Sequence, residues 1–459
     1  MLSRRVILKF LGKTSSRRNA SNIWPSRITN PEYSERRQRL LEKLISTLKP
    51  GEKNVLVVLK GAERFFIAPD VPNSFRQCSH FRYLTGVTSP GCYYIMSAQV
   101  DDDQPKEQQR ILVADRRTAV EELWEGQLPS ESDWASTAQF SDLQPSKQLP
   151  AVLEKLCDQQ TAVFVSESAS SAISAIVGKK CFSLRSLAPF VDQLRLTKSS
   201  SEMDSMRDVC TLGAQTMCAT IASSRNTHME NAIVGLLEYE GRRRGSEKQA
   251  YPPVVASGSR ANTIHYLEAN NDIHPNDCVL VDAGCDLNGY VSDITRCFPI
   301  SGNWNDHQRS LYEALLFCHE QLIEYAASME KVRLSYLYRR MMELLAASMG
   351  ELGLIRQGDN ASMLKAAEML CPHHVSHYLG MDVHDTPSVS RDIELPSNVC
   401  FTIEPGVYVP LDWPRKEWRG IGFRIEDDVA TLAGGGCELL TSSVPRSTQH
   451  IQQLMNQWH

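Results

Sequence analysis

The chain has 459 residues, 42% hydrophobic and 22% charged, with a formal net charge of −5; that length exceeds what one hydrophobic core usually serves, and the composition is that of a globular protein. No apolar run approaches the ~18 residues that a membrane-spanning helix needs. Residues 1–31 carry seven Arg or Lys and no acid, which leaves −12 for the remainder, and so acidic a body with no spanning segment excludes nucleic acid and membrane as main partners.

Taken in chain order, the first segment is Arg-rich, Ser-rich and acid-free, and Val6, Ile7 and Phe10 can share one helical face while Arg5 and Lys9 point elsewhere. This is the pattern of a mitochondrial transit peptide, expected over 1–31, because Lys9 interrupts the only stretch that could serve as a secretory core. The 13 cysteines fit that compartment: they are odd in number and never spaced as CxxC, so they read as reduced thiols of the matrix, cytosol or nucleus.

Pro31 to Leu48 reads as an amphipathic helix, and NVLVVLKG from Asn54, RILVADRR from Arg110 and TAVFVSES from Thr161 read as strands, predicting an α/β domain over 32–194. The DDD run at Asp101–Asp103 with the polar residues after it is expected to be a solvated loop. Ser199 and Glu202 have capping-box spacing ahead of Met203, Met206, Cys210, Gly213 and Met217 at helical intervals, so a second domain is expected over 195–459. Two more helices are predicted from Leu311, Leu315 and Leu322 and from Leu334, Leu337, Met341 and Leu345, each with its apolar face in the core.

The residues suited to chemistry lie in this second half. In CVLVDAGCDLNGYVSDITRCF, Asn288-Gly289 signals a two-residue hairpin turn. With that turn, 287 pairs with 290 and 284 with 293, so Asp282 and Asp293 fall on one face as diagonal neighbours. Carboxylates aimed at one spot repel unless a cation or a shared proton lies between them. PHHVSHYLGMDVHD packs His373, His374, His377 and His384 into 12 residues, with Gly380 as a bend that lets His377 and His384 face one cavity. FTIEPGVYV delivers Glu404 at the end of an apolar strand, where a carboxylate must be paired or bound to metal. GIGFRIEDD alternates with period two, so Arg424 and Glu426 share a face, either as an ion pair or as part of a site. A set of Asp282, Asp293, Glu404 and Glu426 with one or two histidines is rich in oxygen, which suits Mn, Mg or Co over structural zinc. Four carboxylates would overcharge one ion but balance two.

The order of these motifs, HY before Asp282, a second Asp eleven residues later, then HxxxH…H, EPG and RIED, resembles the aminopeptidase P and prolidase branch of the pita-bread metallopeptidases. The likeness covers roughly residues 40–450 and takes in YPPVVASG, HFRYLTGV and ELWEGQLP. It implies a creatinase-like α/β domain followed by a pita-bread catalytic domain. It implies two divalent ions, Mn2+ as the expected pair, on Asp282, Asp293, His377, Glu404 and Glu426. Glu404 would accept the proton of the attacking water, His265 and His384 would steady the oxyanion and handle protons, His373 would line the leaving-group side, and Tyr408 and Arg424 would order the site. The implied reaction is removal of one N-terminal residue from a peptide or protein, by a homodimer or larger homo-oligomer.

Within the branch the mitochondrial members are most similar, enzymes that trim the residue exposed once a transit peptide has gone; an additional nuclear or cytosolic pool stays open. Bacterial members carry HGLSH where this chain has HHVSH. His374 thus replaces a glycine near the pocket for the residue after the scissile bond, and the strictness of a proline requirement there is open. Two other readings share the fold: a prolidase confined to dipeptides, and a non-catalytic peptide- or histone-binding protein, which loss of ligands would mark.

Overall fold

The computed structural model describes residues 24–101 and 104–456. Most of the expected transit peptide therefore lies outside the described residues. Its last part does not: Trp24 Nε1 donates to Arg244 O at 2.8 Å, Arg27 pairs with Asp208 at 2.7 Å, and helix α1 (Asn30–Ile45) already begins at Asn30. Residues 24–31, read from the sequence as leader, pack on the folded body.

The N-terminal domain is built on a six-stranded mixed sheet of β1 (Asn54–Lys60), β2 (Tyr93–Asp101), β3 (Gln104–Val113), β4 (Asp142–Gln144), β5 (Thr161–Val165) and β6 (Ser183–Ser186), in the order β4-β3-β2-β1-β5-β6. β1 and β5 are apolar because both are central and covered on their two faces. The expected loop after Asp101 is corrected: QPKEQQ belongs to β3, which pairs antiparallel with β2 from Asp101↔Gln104 to Tyr93↔Val113. Backbone pairing with a fixed neighbour overrides a polar composition, and residues 106–108 simply face water.

Beyond α2 (Ala188–Leu196), the long α3 (Ser200–Ser223) starts at the Ser199–Glu202 capping box and opens the catalytic half. Three small antiparallel sheets hold its centre. They are β7 (Val254–Ser257), β8 (Cys278–Ala283) and β11 (Ile294–Pro299); then β12 (Cys400–Ile403), β15 (Asp427–Thr431) and β16 (Cys437–Leu439); then β13 (Gly406–Tyr408) with β14 (Gly422–Arg424). Helices α4 (Asp306–Ser328) and α5 (Leu334–Glu351) cover them, and Leu311, Leu315, Leu322, Leu334, Leu337, Met341 and Leu345 all lie in the core. Two helical layers around antiparallel strands make the pita-bread arrangement. Among the described residues no helix is long and apolar enough to cross a membrane.

The hairpin keeps the register that its turn dictates. Asn288 and Gly289 have φ of 53° and 84°, Leu287 pairs with Tyr290, and Asp282 pairs with Thr295. Between the outer ladder and the inner one, β9 (Cys285–Leu287) with β10 (Tyr290–Val291), the strands bend at Gly284. A Cβ there would meet Ser292 O at 1.8 Å, a contact that only backbone movement relieves. Gly284→Ala is expected to lower stability by on the order of 3 kcal/mol, read as a falling urea midpoint; an unchanged midpoint would mean the bend is not obligatory.

The hairpin tip joins the two domains. Leu287 and Tyr290 share one core with Leu40, Leu44, Val57 and Tyr94, and buried Arg36 of α1 meets Glu32 at 2.7 Å, Glu202 at 3.4 Å and the Tyr83 ring at 4.1 Å. All 13 cysteines are free, nine of them buried, in keeping with the reading of them as reduced thiols.

Candidate metal centre

Four strand ends aim acidic groups at one point. Asp282 is the last residue but one of β8, Asp293 stands just before β11, Glu404 follows β12, and Glu426 lies between β14 and β15. His377 enters from the loop beside them, its Nε2 at 3.4 Å from Asp293, 3.6 Å from Glu404 and 3.9 Å from Glu426. Asp293, His377 and Glu426, all buried, offer ligand atoms lying within 4.8 Å of one another. Asp282 joins through Tyr251, whose hydroxyl lies 2.6 Å from Asp282 Oδ1 and also against Asp293 Oδ1.

So many acids in a dry space raise one another's affinity for protons. Burial, abetted by Asp293 and opposed by His377, pushes Glu404 up to about 7. Burial also raises Asp293, and burial with Asp293 drives Glu426 well above the usual carboxylate range. His377 resists burial because Asp293 and Glu404 hold it up at about 9. A cluster that gathers protons for want of positive charge fits divalent cations, and its hard oxygens with one imidazole fit the donor preference of Mn, Mg or Co. Arg424 also brings positive charge to the cluster, and it does not form the ion pair with Glu426 that its spacing allows. Arg424 Nη2 donates to Asp282 Oδ2 at 2.5 Å, Nη1 to Tyr408 Oη at 2.7 Å and Nε to Thr295 Oγ1 at 3.2 Å. Thr295 in turn donates to Glu426 Oε2 at 2.6 Å.

The three consecutive acids of RIEDD divide their work by strand alternation. Glu426 faces the centre. Asp427 faces away, pairing with fully buried Arg296 at 2.8 Å. Asp428 turns back and accepts from the Asp293 N–H at 3.0 Å, fixing the peptide that carries that ligand.

The histidines separate. His373 Nε2 lies 2.9 Å from Tyr408 Oη and Nδ1 2.9 Å from His374 O, and burial lowers it to about 4, so it is a neutral ring held by both nitrogens. His384 packs edge-on to His377 with ring centroids 4.6 Å apart, and burial with the His377 charge lowers it to about 4. His265 stands exposed, outside the hydrogen-bonded cluster. His374 points to neither; it stacks on Tyr338 with centroids 4.9 Å apart. Sequence reasoning missed Tyr251, Thr295 and Asp428. The hairpin register could have found Thr295, which sits directly across from Asp282; no spacing rule points to Tyr251.

Comparison with known proteins places the chain in a family. The model of metallopeptidase family M24 matches residues 204–432, and that of the aminopeptidase P N-terminal domain matches residues 33–164. Xaa-Pro aminopeptidase 3 of Homo sapiens is 31% identical over 99% of this chain and 92% of its own length. Intermediate cleaving peptidase 55, mitochondrial, of Arabidopsis thaliana is 32% identical over 93% of this chain and 83% of its own. Among solved structures, zinc-substituted E. coli aminopeptidase P in complex with product is similar with a TM-score of 0.85 and 25% identity, covering 94% of this chain and 99% of that one.

Proposed function

The chain belongs to metallopeptidase family M24, in its aminopeptidase P branch, and on that premise we propose that it is a metalloaminopeptidase that removes single residues from the N-termini of peptides and imported proteins. The observation that carries the reading is the convergence of Asp282, Asp293, His377, Glu404 and Glu426 on one buried point. These five are assigned as ligands of two divalent ions, with Mn2+ as the expected metal. When bound, such a pair polarises the scissile carbonyl and makes water a nucleophile near neutral pH.

The remaining work falls to side chains. Glu404 is assigned to take a proton from the attacking water at its carboxylate. His384, packed against His377, and His265 are assigned to hydrogen-bond the developing oxyanion and pass protons. Arg424 holds Asp282 and Tyr408 together, and Tyr408 holds His373, so one chain of hydrogen bonds ties a ligand to the leaving-group wall. We assign 32–194 to the N-terminal domain and 195–459 to the catalytic domain, and place the end of a mitochondrial leader before Trp24, whose indole is bound to the body. The basic leader and the mitochondrial relative support action in the matrix. Self-association is supported by exposed apolar side chains on the N-terminal domain, among them Leu123, Trp124, Phe65 and Ile67.

The test uses the chain from residue 24 onward, stripped with chelator and reloaded with Mn2+. Turnover is expected to vanish on stripping and return on reloading. Mass spectrometry of two peptides then sorts specificity: loss of one residue from an X-Pro peptide alone means a strict X-Pro enzyme, whereas loss from a peptide with N-terminal Tyr or Leu before a small residue means presequence trimming. A tripeptide left intact while an X-Pro dipeptide is cut would make it a prolidase. No cleavage with any divalent metal would overturn the enzyme reading.

A further inference from the structure

The loop that carries His384 is folded tightly on itself. Asp385 N–H donates to Tyr378 O at 2.9 Å and Gly380 N–H to Asp382 O at 3.2 Å, and Thr386 adopts φ of 46°, a left-handed conformation that strains a β-branched residue. Strain of this kind persists only where the surroundings over-determine it. Here the surroundings are charges. Buried Asp385 is held by Arg195, at bonding contact, and by Lys198 at 3.2 Å, and the same Arg195 reaches Asp382 at 2.7 Å. Gly380 leaves the room this needs, since a Cβ there would stand 2.5 Å from Asp385 Oδ2 and 3.1 Å from Lys198 Cε.

The opposite side of the loop is gripped from the other domain. Arg76 Nη1 donates to Asp382 Oδ1 at 2.8 Å and Nε to Asp286 Oδ2 at 3.3 Å, while Nη2 lies on Met381 O. Ser79 Oγ donates to the same Asp382 oxygen at 2.7 Å. Three cations thus face three carboxylates, in a network joining residues 306 apart in the chain, and removing Arg76 takes from buried Asp286 its ion-pair partner.

We infer that Arg76, Arg195 and Asp385 are positioning residues for His384, and that the N-terminal domain reaches the site's loop through Arg76. The network fixes the loop between Tyr378 and Thr386 so that the His384 ring stays packed against His377, facing the substrate. This rests on the aminopeptidase reading and on the role given there to His384.

A double-mutant cycle tests it on the Mn2+-loaded chain from residue 24 onward, with Arg76→Ala, His384→Ala and both together. Arg76→Ala is expected to lower kcat about tenfold, the scale of a small misplacement of a catalytic group, with KM and bound metal unchanged. In the His384→Ala background the same change is expected to cost less than about twofold, because it then has nothing to misplace. Equal losses in both backgrounds would overturn the inference and leave Arg76 a structural residue. If Arg76→Ala does not fold, Arg76→Lys keeps the charge but loses the planar fork and runs the same cycle, with about a threefold loss expected and the same additive result overturning the claim. No turnover in the unsubstituted chain would instead overturn the aminopeptidase reading, and an unimpaired His384→Ala the role of His384.

Discussion

Asp293→Ala should purify as a folded protein that holds little metal and shows no measurable turnover. The residue is 4% exposed and offers a ligand atom within 4.8 Å of those of His377 and Glu426, so its loss opens a gap in the donor set. Losing it removes several kcal/mol of metal-derived stabilisation, and at about 1.4 kcal/mol per factor of ten kcat/KM is expected to fall at least about a thousandfold. Folding should respond the other way. Without cations, Asp293, Glu404 and Glu426 repel one another in a dry site, and deleting one acid relieves that repulsion. In chelator, therefore, the variant's Tm should equal or exceed that of the unsubstituted chain, while added Mn2+ should raise only the latter, by binding to the folded state. A variant that kept full activity would remove Asp293 from the ligand set; one that unfolded even in chelator would make Asp293 a structural residue first.

The parts of this site that could be read from the sequence are those fixed by local geometry. Asn288-Gly289 sets a turn by its own backbone preferences, and everything paired across it, from Leu287↔Tyr290 to Asp282↔Thr295, follows by counting. The Ser199 capping box and the period-two face of Arg424 and Glu426 are local in the same way. What stayed hidden depends on tertiary neighbours. Arg424 turns to Asp282, 142 residues distant, because both lie at the rim of one cluster, and spacing along β14 alone permits the other pairing. Tyr251 reaches two ligands from a segment that reads as an ordinary loop before β7. Arg36 and Arg37 of α1 lie buried on a helix whose pattern predicts only apolar residues inward, since aromatic rings, carbonyls and acids of neighbouring elements receive them. The first half of β3, residues 104–109, was hidden for a related reason: its partner β2 makes it a strand, not its own composition.

Glu404→Gln separates proton transfer from metal binding, which Asp293→Ala cannot do. The amide has the size and shape of the carboxylate and keeps an oxygen where Oε1 now lies, 3.6 Å from His377 Nε2 and 3.5 Å from Thr402 Oγ1. It loses the negative charge and with it the capacity to take a proton. Asp293 and Glu426, which lie deeper and crowd His377, keep their charges, so most of the metal should stay bound and Tm should remain close to that of the unsubstituted chain. Turnover should not survive: positioned general bases contribute about 10²–10⁴-fold, and a loss of that size in kcat is expected at saturating Mn2+ with KM little changed. Metal analysis and kcat on the same preparation decide the matter. Full metal with a hundredfold or greater loss of kcat, by the same scale, supports Glu404 as proton acceptor. Parallel loss of metal and activity would make it a ligand alone, and would move the search for the base to His384, which packs edge-on to His377.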